Sequence, residues 1–197
     1  MIKVAITGGI ASGKSVVLDH LILSNYVVYS SDAIAHDVLR REGKDEVVDC
    51  FGKELLNEKG EVDRKALGKI VFNDLDKLDK LNKIIHPYVR SRIEKIIETN
   101  PHLSIIFFEI PLLFESHMED MFDYTINIYC DVDTQINRIV ARDGKSVDDA
   151  LKIIASQMPT LKRNNLASYA IDNSGLIEDT YQKIDKIINE ILSKEQK

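Results

Sequence analysis

Apolar runs alternate with helical patterns along the chain, and this alternation predicts its fold. Residues 2–7 form one apolar run, and residues 14–23 carry apolar positions at helical spacing. Residues 104–110 (SIIFFEI) are apolar at nearly every position, as is typical of a strand buried on both faces of a parallel sheet. The alternation predicts an α/β fold, a doubly wound parallel sheet with helices on both faces. Further short strands are predicted at 26–29, 124–130 and 169–171, and further helices at 133–143, 146–157, 160–166 and 177–193.

A polar helical section, roughly 44–99, separates the second strand from the third. Its apolar residues recur at helical spacing, at Leu67, Ile70, Val71, Leu75, Leu78, Leu81, Ile84 and Ile85. His86-Pro87 lies inside this section, and because proline is common in the first turn of a helix, the pair predicts a break between two helices. No repeat, low-complexity tract or long linker appears, so residues 1–197 are predicted to form one domain.

Composition and charge exclude several classes of function. With 44% hydrophobic and 29% charged residues, the chain has the make-up of a globular domain. Its net charge of −6 argues against nonspecific nucleic-acid binding, and no apolar run approaches the roughly 20 residues that span a membrane. Cys50 and Cys130 lack the spacing of metal ligands, which favours reduced thiols and predicts a cytoplasmic protein.

The most specific chemistry lies between the first strand and the first helix. Residues 8–15 read GGIASGKS and match G-x-x-x-x-G-K-S, the phosphate-binding P-loop. Gly8 and Gly13 let the backbone wrap so that consecutive N–H groups point at one anion, and the following helix adds its positive N-terminal end. Lys14 is expected to reach the β- and γ-phosphates, and the Ser15 hydroxyl to ligate Mg²⁺. Because this motif occupies the N-terminus, we expect no cleavable signal there.

Ligands in doubly wound folds bind at the carboxyl ends of the strands, and several charged residues fall there. Asp32 follows the second strand, where a carboxylate accepts a hydroxyl proton, orients a water on Mg²⁺, or caps a helix. Glu109 is interior to an apolar strand, so it is expected to be paired or to face the site. Arg138 and Arg142 are spaced i, i+4 on one helix, where they either clamp a phosphoryl group or form a solvated face.

Taken together, the motifs resemble those of the dephospho-CoA kinase family over nearly the whole chain. The P-loop is shared by very many proteins, but the HP, PLLFE and IDNSG segments, in this order and spacing, are far more specific and identify the chain as a member of this family. The segments that match after the P-loop are Ser31–Ala35 (SDAIA), Val62–Gly68 (VDRKALG), Ile70–Phe72 (IVF), Ile85–Pro87 (IHP), Ile110–Glu115 (IPLLFE), residues 135–144, Gln157–Pro159 (QMP) and Ile171–Gly175 (IDNSG).

The resemblance implies a fold and an activity. The fold would be a P-loop nucleoside-kinase domain of three layers, with a helical region at about 35–100 covering dephospho-CoA and a lid at about 138–165 closing over ATP. The activity would be transfer of the ATP γ-phosphoryl group to the ribose 3′-hydroxyl of dephospho-CoA, the last step of coenzyme A synthesis. The partners would be small molecules, with ATP as co-substrate and Mg²⁺ as cofactor.

The resemblance also implies roles for individual residues. Lys14 and Arg142, together with Arg138, would act on the transferring phosphoryl group, and Asp32 would take the proton of the attacking hydroxyl. Mg²⁺ would be bound by Ser15. ATP would be held by Gly8, Gly9, Ile10, Ala11, Ser12, Gly13, Lys14, Ser15, Val16 and Asn173. The substrate side would be lined by Arg64, His86, Leu112, Leu113 and Phe114.

The sequence departs from the family pattern at four positions. Ala11 stands where the family usually has glycine, which is acceptable if that residue does not need a positive φ. Ser30 replaces the first of two acids, His36 replaces an arginine, and Ser168 replaces an aspartate. The family's functional roles at these three positions are therefore not carried over to Ser30, His36 and Ser168.

Two other functions remain open from the residues themselves. A nucleoside monophosphate kinase would share the P-loop and the arginines, but not His86-Pro87 or residues 111–115. A regulatory GTPase needs N/T-K-x-D after a strand, whereas the one Asn-Lys pair, Asn82-Lys83, is followed by two isoleucines. D-x-x-G occurs at residues 49–52 and 172–175, and neither follows a strand at the centre of the sheet.

Overall fold

The computed structural model describes residues 1–71 and 74–194, so Phe72 of the IVF segment lies outside the described residues. Within these ranges the strands are β1 (Ile2–Thr7), β2 (Val28–Ser30), β3 (Ile105–Glu109), β4 (Tyr124–Tyr129) and β5 (Tyr169–Asp172). β1 pairs in parallel with both β3 and β4, and β4 pairs in parallel with β5. The order in the sheet is β2-β3-β1-β4-β5, which confirms the predicted α/β fold.

Helices connect the strands and fill the section between β2 and β3. They are α1 (Lys14–Leu23), α2 (Ser31–Arg40), α3 (Lys44–Phe51), α4 (Arg64–Val71), α5 (Leu75–Thr99), α6 (Val132–Asp143), α7 (Val147–Ala155), α8 (Thr160–Leu166) and α9 (Ile177–Lys194). Short 3-10 turns lie at Lys53–Leu55 and Glu119–Met121. Over the described ranges, no helix combines the length and the apolar character that crossing a membrane requires.

The chain divides into two compact units, Met1–Val28 with Leu103–Lys197, and Tyr29–His102. The first unit holds β1, β3, β4 and β5 with α1 and α6 to α9. The second holds α2 to α5. The helical region predicted at about 35–100 lies within the second unit.

The central strands are buried on both faces, which explains their nearly continuous apolar sequence. Val4 and Ile6 of β1 are fully buried, as are Ile126 and Ile128 of β4. Burying one such side chain contributes about 1.5–3 kcal/mol, so this core fixes the end of β1 from which the glycine-rich loop begins. The core cluster on the face that α1 and α9 cover consists of Ile2, Val4, Ile6, Val17, Leu18, Leu21, Ile105, Phe107, Ile126, Ile128, Ile171, Ile184, Ile188 and Ile191.

Helix α5 runs for 25 residues through His86-Pro87, so the predicted break between two helices is wrong. Pro87 has no N–H to donate to the carbonyl group one turn earlier, which removes a hydrogen bond from the helix interior. Ile85, Val89 and Ile93 are buried along one side of α5. Tertiary packing of this apolar side therefore carries the helix past the proline.

The segment between α3 and α4 contains a bridge that the helical pattern did not predict. Leu56 and Val62 form an isolated antiparallel bridge. Asn57 closes the turn between them, because its Oδ1 accepts hydrogen bonds from the backbone N–H groups of Lys59 and Glu61, both at 3.0 Å. Such local bonds from an asparagine side chain compete with helix formation.

Candidate active site

The glycine-rich loop between β1 and α1 needs glycine at two positions for different reasons. At Gly8 the backbone passes so close to β4 that a Cβ atom would lie 2.3 Å from the Ile128 carbonyl oxygen. At Gly13 φ is +89°, and a Cβ atom would lie 1.9 Å from Nδ2 of Asn173. Glycine at these positions therefore allows β4 and Asn173 to hold the loop closely.

Ala11 adopts a left-handed conformation, with φ of +54°. Alanine was expected to be acceptable if this position did not need a positive φ, and that condition is not met. A left-handed alanine costs roughly 1–2 kcal/mol, so the loop carries strain at this residue. Its carbonyl oxygen is held in place by Arg138, whose Nη1 donates to it at 3.2 Å.

We expect Ala11→Gly to raise the free energy of unfolding by a few tenths to about 1 kcal/mol, because relief of strain exceeds the added entropy of the unfolded chain. In a chain of this size, 1 kcal/mol corresponds to about 2–4 °C in melting temperature. Ala33→Gly, at an exposed position within α2, is the matched control and should lower the melting temperature. A lower melting temperature for Ala11→Gly as well would contradict the claim that the backbone is strained at Ala11.

A pocket of about 650 Å³ opens beside the loop, within the size range of ligand sites. The Nζ of Lys14 donates a hydrogen bond to the Gly8 carbonyl oxygen at 2.8 Å, which keeps the ammonium group against the loop. Glu109, which interrupts the apolar strand β3, is among the residues that line the pocket. The lining consists of Gly9 and residues 11–16, Glu109, three residues of α6 (Arg138, Ala141 and Arg142), and Asn173, Gly175 and Ile177.

The two arginines of α6 have different surroundings. Arg138 is tied to the backbone, because Nη1 donates to the Ala11 carbonyl oxygen at 3.2 Å and Nη2 to that of Asn173 at 2.9 Å. Arg142 is 61% exposed, and its Nε and Nη2 donate to the Asp143 carboxylate at 2.7 and 2.9 Å. This pairing raises the pKa of Arg142 and lowers the pKa of Asp143. Arg138 thus braces the loop from the wall of the pocket, whereas Arg142 is the more exposed of the two arginines that line it.

Asn173 supports the loop through its buried side chain. Its Nδ2 donates to the Ser12 carbonyl oxygen at 2.8 Å, and its Oδ1 accepts from the Thr180 hydroxyl at 2.9 Å. Sequence reasoning missed Thr180, since a threonine within the amphipathic pattern of α9 gives no sign that it orients an amide. The Asn173 amide is therefore already committed to protein partners at the edge of the pocket.

Two glutamines that were not predicted as site residues hold the loop at Ile10. Oε1 of Gln157 accepts a hydrogen bond from the Ile10 N–H, and Nε2 of Gln135 donates to the Ile10 carbonyl oxygen, both at 2.8 Å. Ile10 was expected to help hold ATP, but both of its backbone polar groups are bonded to protein side chains. The QMP segment pointed to position 157, but no pattern indicated this contact.

Three predicted site residues lie in the second compact unit. Asp32 is the second residue of α2 and is exposed, and the N-cap position belongs to Ser30, so Asp32 is not the capping residue. Arg64 is the first residue of α4 and is exposed. His86 is half-buried in α5, and this burial, with a smaller contribution from Arg90, lowers the pKa of its imidazole. The lowered pKa favours the neutral form of the His86 imidazole.

The apolar residues that follow β3 differ in exposure. Leu113 is fully buried and Phe114 is nearly so, whereas Leu112 is 52% exposed. Of the three residues expected to line the substrate, Leu112 thus has the exposed side chain, whereas the side chains of Leu113 and Phe114 belong to the hydrophobic core.

Ser168, Ser30 and His36, which depart from the family pattern, differ in what their side chains contact. Oγ of Ser168 accepts a hydrogen bond from the Thr125 N–H at 3.1 Å, and the Ser168 N–H donates to Oγ1 of Thr125 at 2.9 Å. This exchange joins the beginnings of β4 and β5. Ser30 precedes α2 without a side-chain capping bond, and His36 lies half-buried within that helix.

The pocket offers oxygen donors of the kind that Mg²⁺ prefers. Ser15, which carries a hydroxyl, and Glu109, which carries a carboxylate, line the same pocket. Among residues 1–71 and 74–194, no three His, Cys, Asp or Glu side chains cluster as a metal site. The residues present therefore fit a cation that takes its remaining ligands from phosphate and water.

Comparison with known proteins gives a consistent result. Residues 2–179 match the family model for dephospho-CoA kinase. The dephospho-CoA kinase of Carboxydothermus hydrogenoformans is 42% identical over 185 residues, covering 92% of this chain and 90% of that protein. The solved dephospho-CoA kinase from Campylobacter jejuni is 29% identical with a TM-score of 0.75, covering 98% of each chain. A shikimate kinase from Bacteroides thetaiotaomicron, 12% identical with a TM-score of 0.55 over 95% of this chain and 98% of that one, shares the fold.

Proposed function

The chain belongs to the dephospho-CoA kinase family, and we propose that it binds ATP in the pocket beside the glycine-rich loop. The reaction of this family transfers the γ-phosphoryl group of ATP to the ribose 3′-hydroxyl of dephospho-CoA. One observation carries this proposal. The pocket gathers the loop backbone, Lys14, Arg138 and Arg142 around one space. Three cationic side chains and a set of backbone N–H groups suit the charge of a triphosphate.

In the proposed reaction, the Asp32 carboxylate accepts the proton of the 3′-hydroxyl as its oxygen attacks the γ-phosphorus, and ADP leaves. Lys14 stabilises the negative charge that spreads over the phosphoryl oxygens. Arg142 exchanges Asp143 for those oxygens, since the same planar fork of donors fits both. Arg138 keeps the loop in shape by donating to the Ala11 carbonyl oxygen within the loop and to the Asn173 carbonyl oxygen beside it.

Dephospho-CoA is proposed to contact three further residues. Arg64 supplies an exposed cation for a phosphate group. The neutral imidazole of His86 supplies one donor and one acceptor. Leu112 supplies an exposed apolar side chain. We propose that the helical region at about 35–100 covers this substrate and that residues 138–165 close over ATP, which excludes water from the transfer.

Mg²⁺ would be held by the Ser15 hydroxyl and the Glu109 carboxylate, and when bound it would supply positive charge to the β- and γ-phosphate oxygens. Asn173 was expected to help hold ATP. Its bonds to Ser12 and Thr180 support a different contribution, which is to fix the loop that receives the phosphates. A cytoplasmic location is also proposed, and it agrees with Cys50 and Cys130 being free thiols.

We expect Arg142→Lys to lower kcat by about tenfold or more although the charge is kept, because lysine cannot reproduce the bidentate fork. The dissociation constant for ATP should change less than kcat. Steady-state kinetics beside calorimetric titration with ATP measures both quantities. Arg41→Lys is the matched control, since Arg41 is also exposed and also pairs with an aspartate, Asp37, at 3.0 Å. An unchanged kcat for Arg142→Lys would remove Arg142 from the transition state.

A direct assay tests the proposed function. The chain is incubated with dephospho-CoA, ATP and Mg²⁺, and coenzyme A is detected by its mass. AMP and CMP in place of dephospho-CoA test the nucleoside monophosphate kinase alternative, and GTP in place of ATP tests the choice of donor. Phosphorylation of AMP or CMP in preference to dephospho-CoA would contradict the proposal.

A further inference from the structure

The peptide groups on both sides of Ile10 are held from outside the loop. Gln135 lies in α6 and is buried, and Gln157 lies in the short segment between α7 and α8. Oε1 of Gln157 accepts from the Ile10 N–H at 2.8 Å, and Nε2 of Gln135 donates to the Ile10 carbonyl oxygen at 2.8 Å. The amide oxygen of Gln157 therefore serves as the acceptor for the Ile10 N–H, and the amide nitrogen of Gln135 serves as the donor to the Ile10 carbonyl oxygen.

Gly9 allows both glutamines to come this close. A Cβ atom at Gly9 would lie 3.2 Å from Nε2 of Gln135, 3.3 Å from Oε1 of Gln157 and 3.4 Å from Nη1 of Arg163. Arg163 is only 2% exposed, and its Nη2 donates to the Glu115 carboxylate at 3.0 Å. Because its buried guanidinium has the charged partner Glu115, Arg163 anchors α8 beside the loop. Gln157 is thus part of a packed polar cluster rather than a surface side chain.

We propose that Gln157 is a positioning residue for the phosphoryl transfer, which ties the α7–α8 segment to the phosphate-binding loop with Gln135 as its complement. The two bonds fix the orientation of the Ile10 peptide groups. That orientation sets the direction of the N–H groups that follow at residues 11–15. A partly buried N–H left without its acceptor is unfavourable, so loss of the Gln157 oxygen would turn the loop away from this shape. The inference rests on the proposed binding of phosphates by this loop.

Replacing each of the two glutamines by glutamate separates the effect of hydrogen-bond geometry from the effect of added charge. Gln157→Glu keeps an acceptor oxygen for the Ile10 N–H. Gln135→Glu replaces the donor with an oxygen that faces the Ile10 carbonyl oxygen. Both add one negative charge beside the same loop, so charge alone would weaken nucleotide binding similarly in the two variants. Gln157→Leu removes the acceptor, and Gln182→Glu, at an exposed position of α9, is the control for added charge.

The measurement is calorimetric titration of the full chain with ADP, beside the melting temperature without nucleotide. We expect Gln135→Glu and Gln157→Leu to weaken ADP binding by about tenfold or more, and Gln157→Glu and Gln182→Glu to stay within about threefold of the unsubstituted chain. Equal weakening by the two Glu variants beside the loop would overturn the inference. So would a Gln157→Leu variant that melts earlier but binds ADP normally, because a merely structural residue behaves in that way.

The outcomes distinguish this inference from the proposed function. An unsubstituted chain that does not bind ADP would show that the ATP site is wrong. An unsubstituted chain that binds ADP and forms coenzyme A, together with a Gln157→Leu variant that does both equally well, would overturn the positioning role alone. If Gln135→Glu does not fold, the contrast between Gln157→Leu and its conservative counterpart Gln157→Glu decides the question.

Discussion

Lys14→Ala is expected to lower kcat by about 10²-fold or more while the chain stays folded. Such a loss corresponds to about 2.7 kcal/mol of transition-state stabilisation. The Lys14 ammonium group lies against the loop, 2.8 Å from the Gly8 carbonyl oxygen, in the pocket proposed to hold the γ-phosphate. A fixed charge aimed at developing negative charge acts mainly on kcat. Turnover is measured as coenzyme A formed from dephospho-CoA and ATP.

The control for Lys14→Ala separates the loss of chemistry from a loss of fold. The hydrogen bond to Gly8 contributes only about 0.5–1.5 kcal/mol, so the melting temperature should fall by a few degrees at most. Lys186→Ala removes an exposed lysine of α9 and should leave both quantities unchanged. Near-normal turnover of a folded Lys14→Ala variant would show that this loop does not carry the transfer.

The sheet and the loop could be predicted from the sequence because both depend on local patterns. Strands such as β3 are buried on both faces, so their sequences are apolar almost throughout. The loop needs glycine where the backbone is crowded or left-handed, and Gly8 and Gly13 stand at such positions. The place of Glu109 beside the pocket also follows from topology, since it ends β3 and the carboxyl ends of parallel strands meet at one edge of the sheet.

The rest depends on contacts between distant parts of the chain. Ile10 is bonded to Gln157, 147 positions away, and no local pattern encodes that pairing. The positive φ of Ala11 is imposed by the closed loop rather than by its own preference. At Pro87 the local signal was misleading, because packing of α5 outweighs the helix-breaking tendency of one proline. Predictions from local sequence fail at these residues because tertiary contacts contribute more free energy than the local conformational preferences.

Asp32 is the residue for which a structural and a catalytic role predict different results. As the second residue of α2, its carboxylate lies near the positive end of the helix, an interaction that contributes about 0.3–1 kcal/mol. Asp45 is the second residue of α3 and is likewise exposed. Asparagine at either position loses the same favourable interaction with its helix. Any larger effect at Asp32 must therefore come from its chemistry.

We expect Asp32→Asn to lower kcat by roughly 10²–10⁴-fold, because the amide cannot accept the proton of the attacking hydroxyl. Asp45→Asn should leave kcat unchanged, and the two variants should show similarly small shifts in melting temperature. Dephospho-CoA binding should survive in Asp32→Asn, since the carboxylate acts on one proton rather than holding the whole ligand. Calorimetric titration beside steady-state kinetics gives both quantities on one sample. Full activity of Asp32→Asn would remove the general base from the reaction and leave charge stabilisation by Lys14 and Arg142 as the source of the rate.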